Sequence, residues 1–196
     1  MSTAEIISTF RHHLRVSVPA GVFEHSERVA NLAGDLMLIR GDPPETAVLM
    51  GLAHDVCRHF SDAEWLRYAE LGLLVSELER RHPVLLHGPI GARLLKKSFN
   101  VQSKEVLHAV HYHTYGHPAF SNSAWAMFIA DKIEPQKIQK NVRLSAFSDL
   151  SLNMSHSLSE IALAILDFQI DDLVTRGKEV HSLQVAARNF LVSERL

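Results

Sequence analysis

Residues 25–37 read His25-Ser26-Glu27-Arg28-Val29-Ala30-Asn31-Leu32-Ala33-Gly34-Asp35-Leu36-Met37. Val29, Leu32, Ala33, Leu36 and Met37 recur at steps of three and four, which lines one face of an α-helix and does not match the alternation of a strand. Ile6, Ile7, Phe10 and Leu14 repeat the pattern upstream. Further along, the same periodicity predicts helices at about 45–58, 62–72, 89–98, 104–113, 123–133, 157–176 and 182–194. The punctuation agrees. Gly41 and Pro43-Pro44 end the helix that carries Val29, and Ser61-Asp62 and Ser103 are N-cap candidates. Gly88-Pro89 stands before Ile90, with Pro89 suited to a first helical turn. No stretch of useful length alternates, there is no Asn-Gly hairpin, and no low-complexity linker interrupts the chain. The fold class expected is all-α, with residues 1–196 forming a single domain, since 196 residues suit one core.

Hydrophobic residues make up 46% and charged residues 21%, which excludes a disordered tail protein and a collagen-like repeat. Lys and Arg number 20 against 22 Asp and Glu, a formal net charge of -2. That balance offers no general attraction to nucleic acid or to an anionic membrane, so a polyanionic ligand needs local cations, either side chains or metal ions. No run approaches the roughly 18 apolar residues of a spanning helix. Met1-Ser2-Thr3-Ala4-Glu5 opens without a basic-then-apolar leader, so the expected setting is the cytoplasm. The single cysteine, Cys57, excludes an internal disulfide and every multi-cysteine metal site. Against it stand 13 histidines.

Metal sites without cysteine are built from imidazoles and carboxylates, and burying such groups is costly unless they are paired. Three places meet that criterion: Leu52-Ala53-His54-Asp55-Val56, Phe128-Ile129-Ala130-Asp131 and Leu85-Leu86-His87-Gly88-Pro89. Each alone has an ordinary reading, His54 as a hydrogen-bonded core histidine and Asp131 as a partner for a surface lysine. With His25 they form the ordered set His25 … His54-Asp55 … Asp131, which resembles the pattern of the HD-domain phosphohydrolases. Two imidazoles and two carboxylates suit Fe, Mn, Co, Ni or Zn in preference to Ca.

The resemblance extends to 85–92 (Leu-Leu-His-Gly-Pro-Ile-Gly-Ala), Tyr112-His113-Thr114-Tyr115-Gly116, Ile129-Ala130-Asp131-Lys132-Ile133-Glu134-Pro135 and Val185-Ala186-Ala187-Arg188-Asn189-Phe190-Leu191. Over about residues 20–192 the chain is similar to the YqeK-type branch of that superfamily, the symmetrical diadenosine tetraphosphate hydrolases. The resemblance implies an HD-domain helical bundle with a di-iron centre, Mn, Co, Ni or Zn being compatible with the same donors. One metal would take His25, His54, Asp55 and Asp131, and the second His87 and His113, with Asp55 bridging both. Two cations roughly 3.5–4 Å apart clamp phosphate oxygens and hold a hydroxide of lowered pKa, which attacks an inner phosphorus and leaves two ADP. Charge developing on the phosphoryl oxygens calls for fixed cations. The candidates are Arg58, three residues after Asp55 where relatives usually have Lys, together with Lys132 and Lys137.

Relatives usually carry Arg where this chain has His117, and Gly-Arg where it has Gln136-Lys137. Both departures fall among expected nucleotide contacts and leave the metal ligands intact. Tyr115 is the expected contact for an adenine. The expected partner is a small-molecule nucleotide, with neither nucleic acid nor membrane involved, and a helical surface stripe serves a core or a homodimer interface equally. His108 and His111, one turn apart, could orient a ligand from behind, whereas His181 has no partner pattern. Three other readings are an HD enzyme acting on another nucleotide or nucleoside polyphosphate, a catalytically silent HD nucleotide sensor, and a ferritin-like di-iron protein. The last rests on Glu79…His82 and Glu105…His108, but Pro83 disfavours helix at His82 and the chain is cut too often for four long helices.

Overall fold

A computed structural model describes residues 3–194. Among the described residues there are twelve α-helices, two short 3₁₀ turns and no strand. The helix carrying Val29 is α2 (Ala20–Ile39), preceded by α1 (Thr3–Ser17). It begins five residues before His25, behind Pro19, so His25 lies inside the helix rather than opening it. Gly41, at φ 76°, follows its end, a backbone conformation that suits glycine.

Helix α3 (Glu45–Ala53) is buried continuously from Leu49 to Ala53. The helix expected at 45–58 stops here, and His54–His59 form a run of turns. On a continuing helix, His54 and Asp55 would point about 100° apart. The turn lets neighbouring side chains serve one place. α4 (Asp62–Glu70) starts at Ser61, whose hydroxyl accepts from the Glu64 amide while Glu64 accepts from the Ser61 amide. The same device starts α5 (Glu77–Arg81) at Ser76 with Glu79. A 3₁₀ turn (Pro83–Leu86) leads into α6 (His87–Ser98), followed by α7 (Lys104–Tyr112), which Ser103 caps as expected.

Helix α8 (Asn122–Ile133) is buried without interruption from Ala124 to Asp131. It is the hub of the core, packing on α2, α3 and on α11 (Leu158–Thr175). Between them lie α9 (Pro135–Lys140), a second 3₁₀ turn (Val142–Leu144) and α10 (Ser145–Leu152). Finally, α12 (Ser182–Ser193) packs on α11. Leu36, Met50, Phe128 and Ile129 are fully buried in the main core, each contributing roughly 1.5–3 kcal/mol. A smaller cluster of Cys57, Trp65, Ala69, Leu86 and Ile90 joins α4 to the start of α6.

Two glycines set the helix spacing that matters for the site. A Cβ on Gly51 would stand 2.6 Å from Ala30 Cα, so only glycine lets α3 lie this close to α2. A Cβ on Gly88 would stand 2.6 Å from the His111 carbonyl oxygen, where α6 begins against the end of α7. No helix among the described residues is long and apolar enough to cross a membrane.

Candidate metal centre and the adjoining cleft

The two close approaches converge on one cluster. Gly51 brings the end of α3, with His54 and Asp55, against the stretch of α2 that holds His25. Gly88 brings His87 against His113, the residue that ends α7. Asp131 arrives from the hub helix α8. All six side chains are buried or nearly so.

They sort into two groups, His25, His54 and Asp131 on one side and Asp55, His87 and His113 on the other, and within each group the potential ligand atoms lie within 4.8 Å of one another. Asp55 reaches both. Its Oδ2 is 3.8 Å from His25 Nε2 and 3.5 Å from His54 Nε2. Its Oδ1 is 3.1 Å from His87 Nε2 and 3.5 Å from His113 Nε2. Asp131 Oδ1 lies 3.2 Å from His25 Nε2 and 3.6 Å from His54 Nε2.

The far nitrogens of the rings are already occupied. Nδ1 of His54 donates to the Gly51 carbonyl and Nδ1 of His113 to the Val110 carbonyl, each at 2.7 Å, while Nδ1 of His87 donates to the Val84 carbonyl. His25 Nδ1 faces the buried Glu134 carboxylate at 3.4 Å. With the Nδ1 protons so placed, neutral rings turn lone pairs toward one another. His87 and His113 meet Nε2 to Nε2 at 2.8 Å, and His25 and His54 at 3.3 Å. Facing lone pairs are repulsive unless a proton or a cation stands between them. Four oriented imidazole nitrogens and two carboxylates fit divalent transition metals, and the backbone and Glu134 bonds are the outer contacts that fix such ligands.

The electrostatics suit this role. Burial works to raise the Asp55 carboxyl, but the charge on His54 and the closeness of His113 and His87 hold it well below the usual range. Burial likewise opposes ionisation of Asp131, and Lys132 and Lys137 outweigh it. His54 is raised because Asp55 and Asp131 overcome its burial. His113 is pushed down to about 4, chiefly by burial, so its ring is neutral at physiological pH.

Beside the cluster opens a cleft of about 640 Å³, the size range of small-molecule sites. Lys132 and Lys137 line it while their ammonium groups sit on Asp131, at 2.5 Å and 2.6 Å. Apolar walls come from α11 and its surroundings, including Leu144, Ile165, Phe168 and Leu173. Tyr115 also lines the cleft, though it is buried and its ring lies face to face with His181 at 3.9 Å. Its hydroxyl donates to Glu79 and to the Leu85 carbonyl, both at 3.3 Å.

Arg58 and His117 lie elsewhere. Arg58 is exposed, its guanidinium 5.9 Å above the Trp65 ring, and it does not line the cleft. His117 packs against His108 and Tyr112, with ring centroids 4.5 Å apart in each case, and accepts from the Ala119 amide. His111 leans on Tyr112. The Glu-x-x-His pairs are spent on other bonds, with Glu79 capping Ser76 and Glu105 accepting from Ser121.

Three residues gain roles that their sequence positions do not announce. Glu134, just past α8, accepts from Arg28 Nε at 2.6 Å and holds His25. His181 caps α12 by accepting from the Leu183 amide and covers Tyr115, a partner invisible in the local sequence. Gln184 is buried in the wall of the cleft.

Comparison with known proteins places these features in context. The HD domain family model matches residues 22–136, a span that holds all six clustered residues. The chain is similar to the symmetrical bis(5'-nucleosyl)-tetraphosphatase of Staphylococcus aureus (strain NCTC 8325 / PS 47), 30% identical over 85% of this chain and 87% of the relative. To the enzyme of that same name from Bacillus subtilis (strain 168) it is 26% identical over 72% of this chain and 78% of the relative. Among solved structures, a predicted HD superfamily hydrolase involved in NAD metabolism from Clostridium acetobutylicum superposes with a TM-score of 0.85 at 26% identity, over 95% of this chain and 97% of the other.

Proposed function

The chain belongs to the HD-domain family, and from that premise we propose that it is a metal-dependent phosphohydrolase cleaving diadenosine tetraphosphate symmetrically into two ADP. The observation that carries this reading is the division of Asp55. One of its oxygens faces His25 and His54 and the other faces His87 and His113, so Asp55 would serve as a donor to both sets. The relatives named as symmetrical tetraphosphatases supply the substrate.

Bound at these residues, a pair of divalent cations, iron first, supplies Lewis acidity toward the phosphate oxygens and toward the attacking water. The protein's own contributions are separable. His25, His54 and Asp131 form one set of donors and His87 and His113 the other, with Asp55 common to both. The Nδ1 hydrogen bonds of His54, His87 and His113 keep their Nε2 atoms aimed inward without reorganisation at the moment of reaction. Lys132 and Lys137, which line the cleft, move from Asp131 onto phosphate oxygens of the substrate and balance charge that develops there. The cleft takes one nucleoside half and shields the reacting phosphates from bulk water. Central cleavage requires the polyphosphate to run from the cleft to the cluster with an inner phosphorus at Asp55.

His54→Ala and Asp55→Ala test the site. Each is expected to abolish turnover and lower the bound metal while the far-ultraviolet circular dichroism stays helical. Full turnover in either variant after its metal has been stripped refutes the site. Phosphate released from mononucleotides in place of ADP from diadenosine tetraphosphate would keep the site and replace the substrate.

A further inference from the structure

The wall of the cleft formed by α11 and α12 carries an amide pair that no step above uses. Gln184, in the first turn of α12, is 6% exposed. Its Nε2 donates to Oε1 of Gln169 on α11 at 3.4 Å, and both side chains line the cleft. Among the described residues the pair's mutual bond is the one side-chain hydrogen bond that either amide makes. The open carbonyl oxygen and amino group face the cavity and are reached by solvent, so a ligand that pairs with both replaces water there. The mutual bond also fixes the pair, so that a free carbonyl oxygen and a free amino group are presented together. Around them the wall is apolar, with Ile165, Phe168 and Leu173 on the same helix. The cations Lys132 and Lys137 line the same cleft, as do Asp172 and His181, so one cavity offers charged groups for a phosphate and an amide pair beside apolar side chains for a base.

We propose that Gln184 and Gln169 form the base-reading subsite, the Gln184 carbonyl accepting from the exocyclic amino group of adenine and the Gln169 amide donating to the neighbouring ring nitrogen. The complementarity is that of a glutamine amide reading adenine's donor and acceptor edge. The choice of adenine rests on the hydrolase reading above, whereas the amide pair and its apolar surroundings do not.

Titration calorimetry of the metal-loaded full-length protein with ADP, N6,N6-dimethyl-ADP and inorganic pyrophosphate tests it. Dimethylation removes the amino protons, and pyrophosphate has no base. The wild type is expected to bind ADP about tenfold more tightly than the dimethyl analogue, the loss of one directed hydrogen bond in a closed site. Gln184→Leu, which removes the acceptor, should erase that preference, and Gln169→Met, which releases the Gln184 amide, should weaken it, each leaving pyrophosphate affinity within about twofold. The Gln169→Met change, at the less buried position, keeps the test open should Gln184→Leu fold poorly. Equal affinity of the wild type for ADP and the dimethyl analogue overturns the proposal. So do variants that keep the preference, or that lose pyrophosphate to the same degree as ADP. Binding does not depend on turnover. A wild type that forms no ADP from diadenosine tetraphosphate yet shows the preference and its loss would remove the hydrolase reading and leave the subsite standing.

Discussion

Replacing Gly88 by alanine puts the packing of the second ligand group to the test. The added Cβ would lie 2.6 Å from the His111 carbonyl oxygen and 3.0 Å from that of Val110, both backbone atoms with no rotamer to yield. Restoring ordinary contact at 3.4 Å requires the start of α6 and the end of α7 to part by about 0.8 Å, the difference from 2.6 Å. His87 and His113 flank that contact, and their Nε2 atoms stand 2.8 Å apart around Asp55 Oδ1. Metal–ligand distances tolerate about 0.2 Å. Overpacking of this kind costs about 1–3 kcal/mol, which corresponds to roughly a 5- to 150-fold loss of affinity at one site. The His25, His54 and Asp131 group lies away from this contact and keeps its metal. Competition with a graded chelator, read as bound metal per chain, should show one tightly held ion and one lost early. A Gly88→Ala protein that retains both ions with wild-type affinity would refute the argument that this glycine sets the ligand spacing.

Three further expectations follow from particular contacts. Glu134→Gln removes the carboxylate behind His25 Nδ1 and halves the anchorage of Arg28, so metal affinity of the His25 group should fall about 10- to 100-fold while the other group is unaffected, as read by the same competition. Lys137→Met should raise KM for a dinucleoside polyphosphate severalfold with little change in metal content, and unchanged steady-state kinetics would take Lys137 off the substrate. In the metal-free protein, His113 is neutral down to about 4 against 6.5 when unfolded, so its contribution, on the order of 3 kcal/mol, is present above pH 6.5 and lost as the pH falls toward 4. His54, raised in the fold, works in the opposite sense above pH 6.5, and its contribution is constant below it. The melting temperature after chelation should therefore drop between pH 6.5 and 4, and His113→Gln should flatten that drop.

The helical architecture is legible in the sequence wherever a buried stripe persists for three turns, as at Val29–Met37, because burial on one side imposes the period. It is not legible at α5 and α9, which are short and polar. α5 is held by the Ser76–Glu79 capping box, and α9 begins at Pro135 behind the Glu134 cap. The break after Ala53 hides for another reason: apolar residues continue through Val56 and Cys57, but they pass from the main core into the smaller one. The cluster itself is legible, because His54, His87 and Asp131 interrupt apolar runs and burial makes an interruption informative. The way Asp55 divides between two groups follows from the family resemblance and not from spacing, since it depends on two glycine contacts between helices distant in the chain. Glu134, His181 and Gln184 are not legible, since their partners lie far away along the chain or across the cleft. Arg58 and His117 show the limit of proximity in sequence. Each lies within four residues of a clustered side chain, yet their side chains pack against Trp65 and against His108 with Tyr112, off the cleft.

Two metals sharing Asp55 and a split of diadenosine tetraphosphate at its middle can be checked in one preparation, by metal content of protein purified without chelator together with chromatographic analysis of the products from that substrate. About two transition-metal ions per chain with ADP as the sole nucleotide product is the result predicted. A protein that carries no metal, or one that releases AMP and ATP from the same substrate, would contradict it.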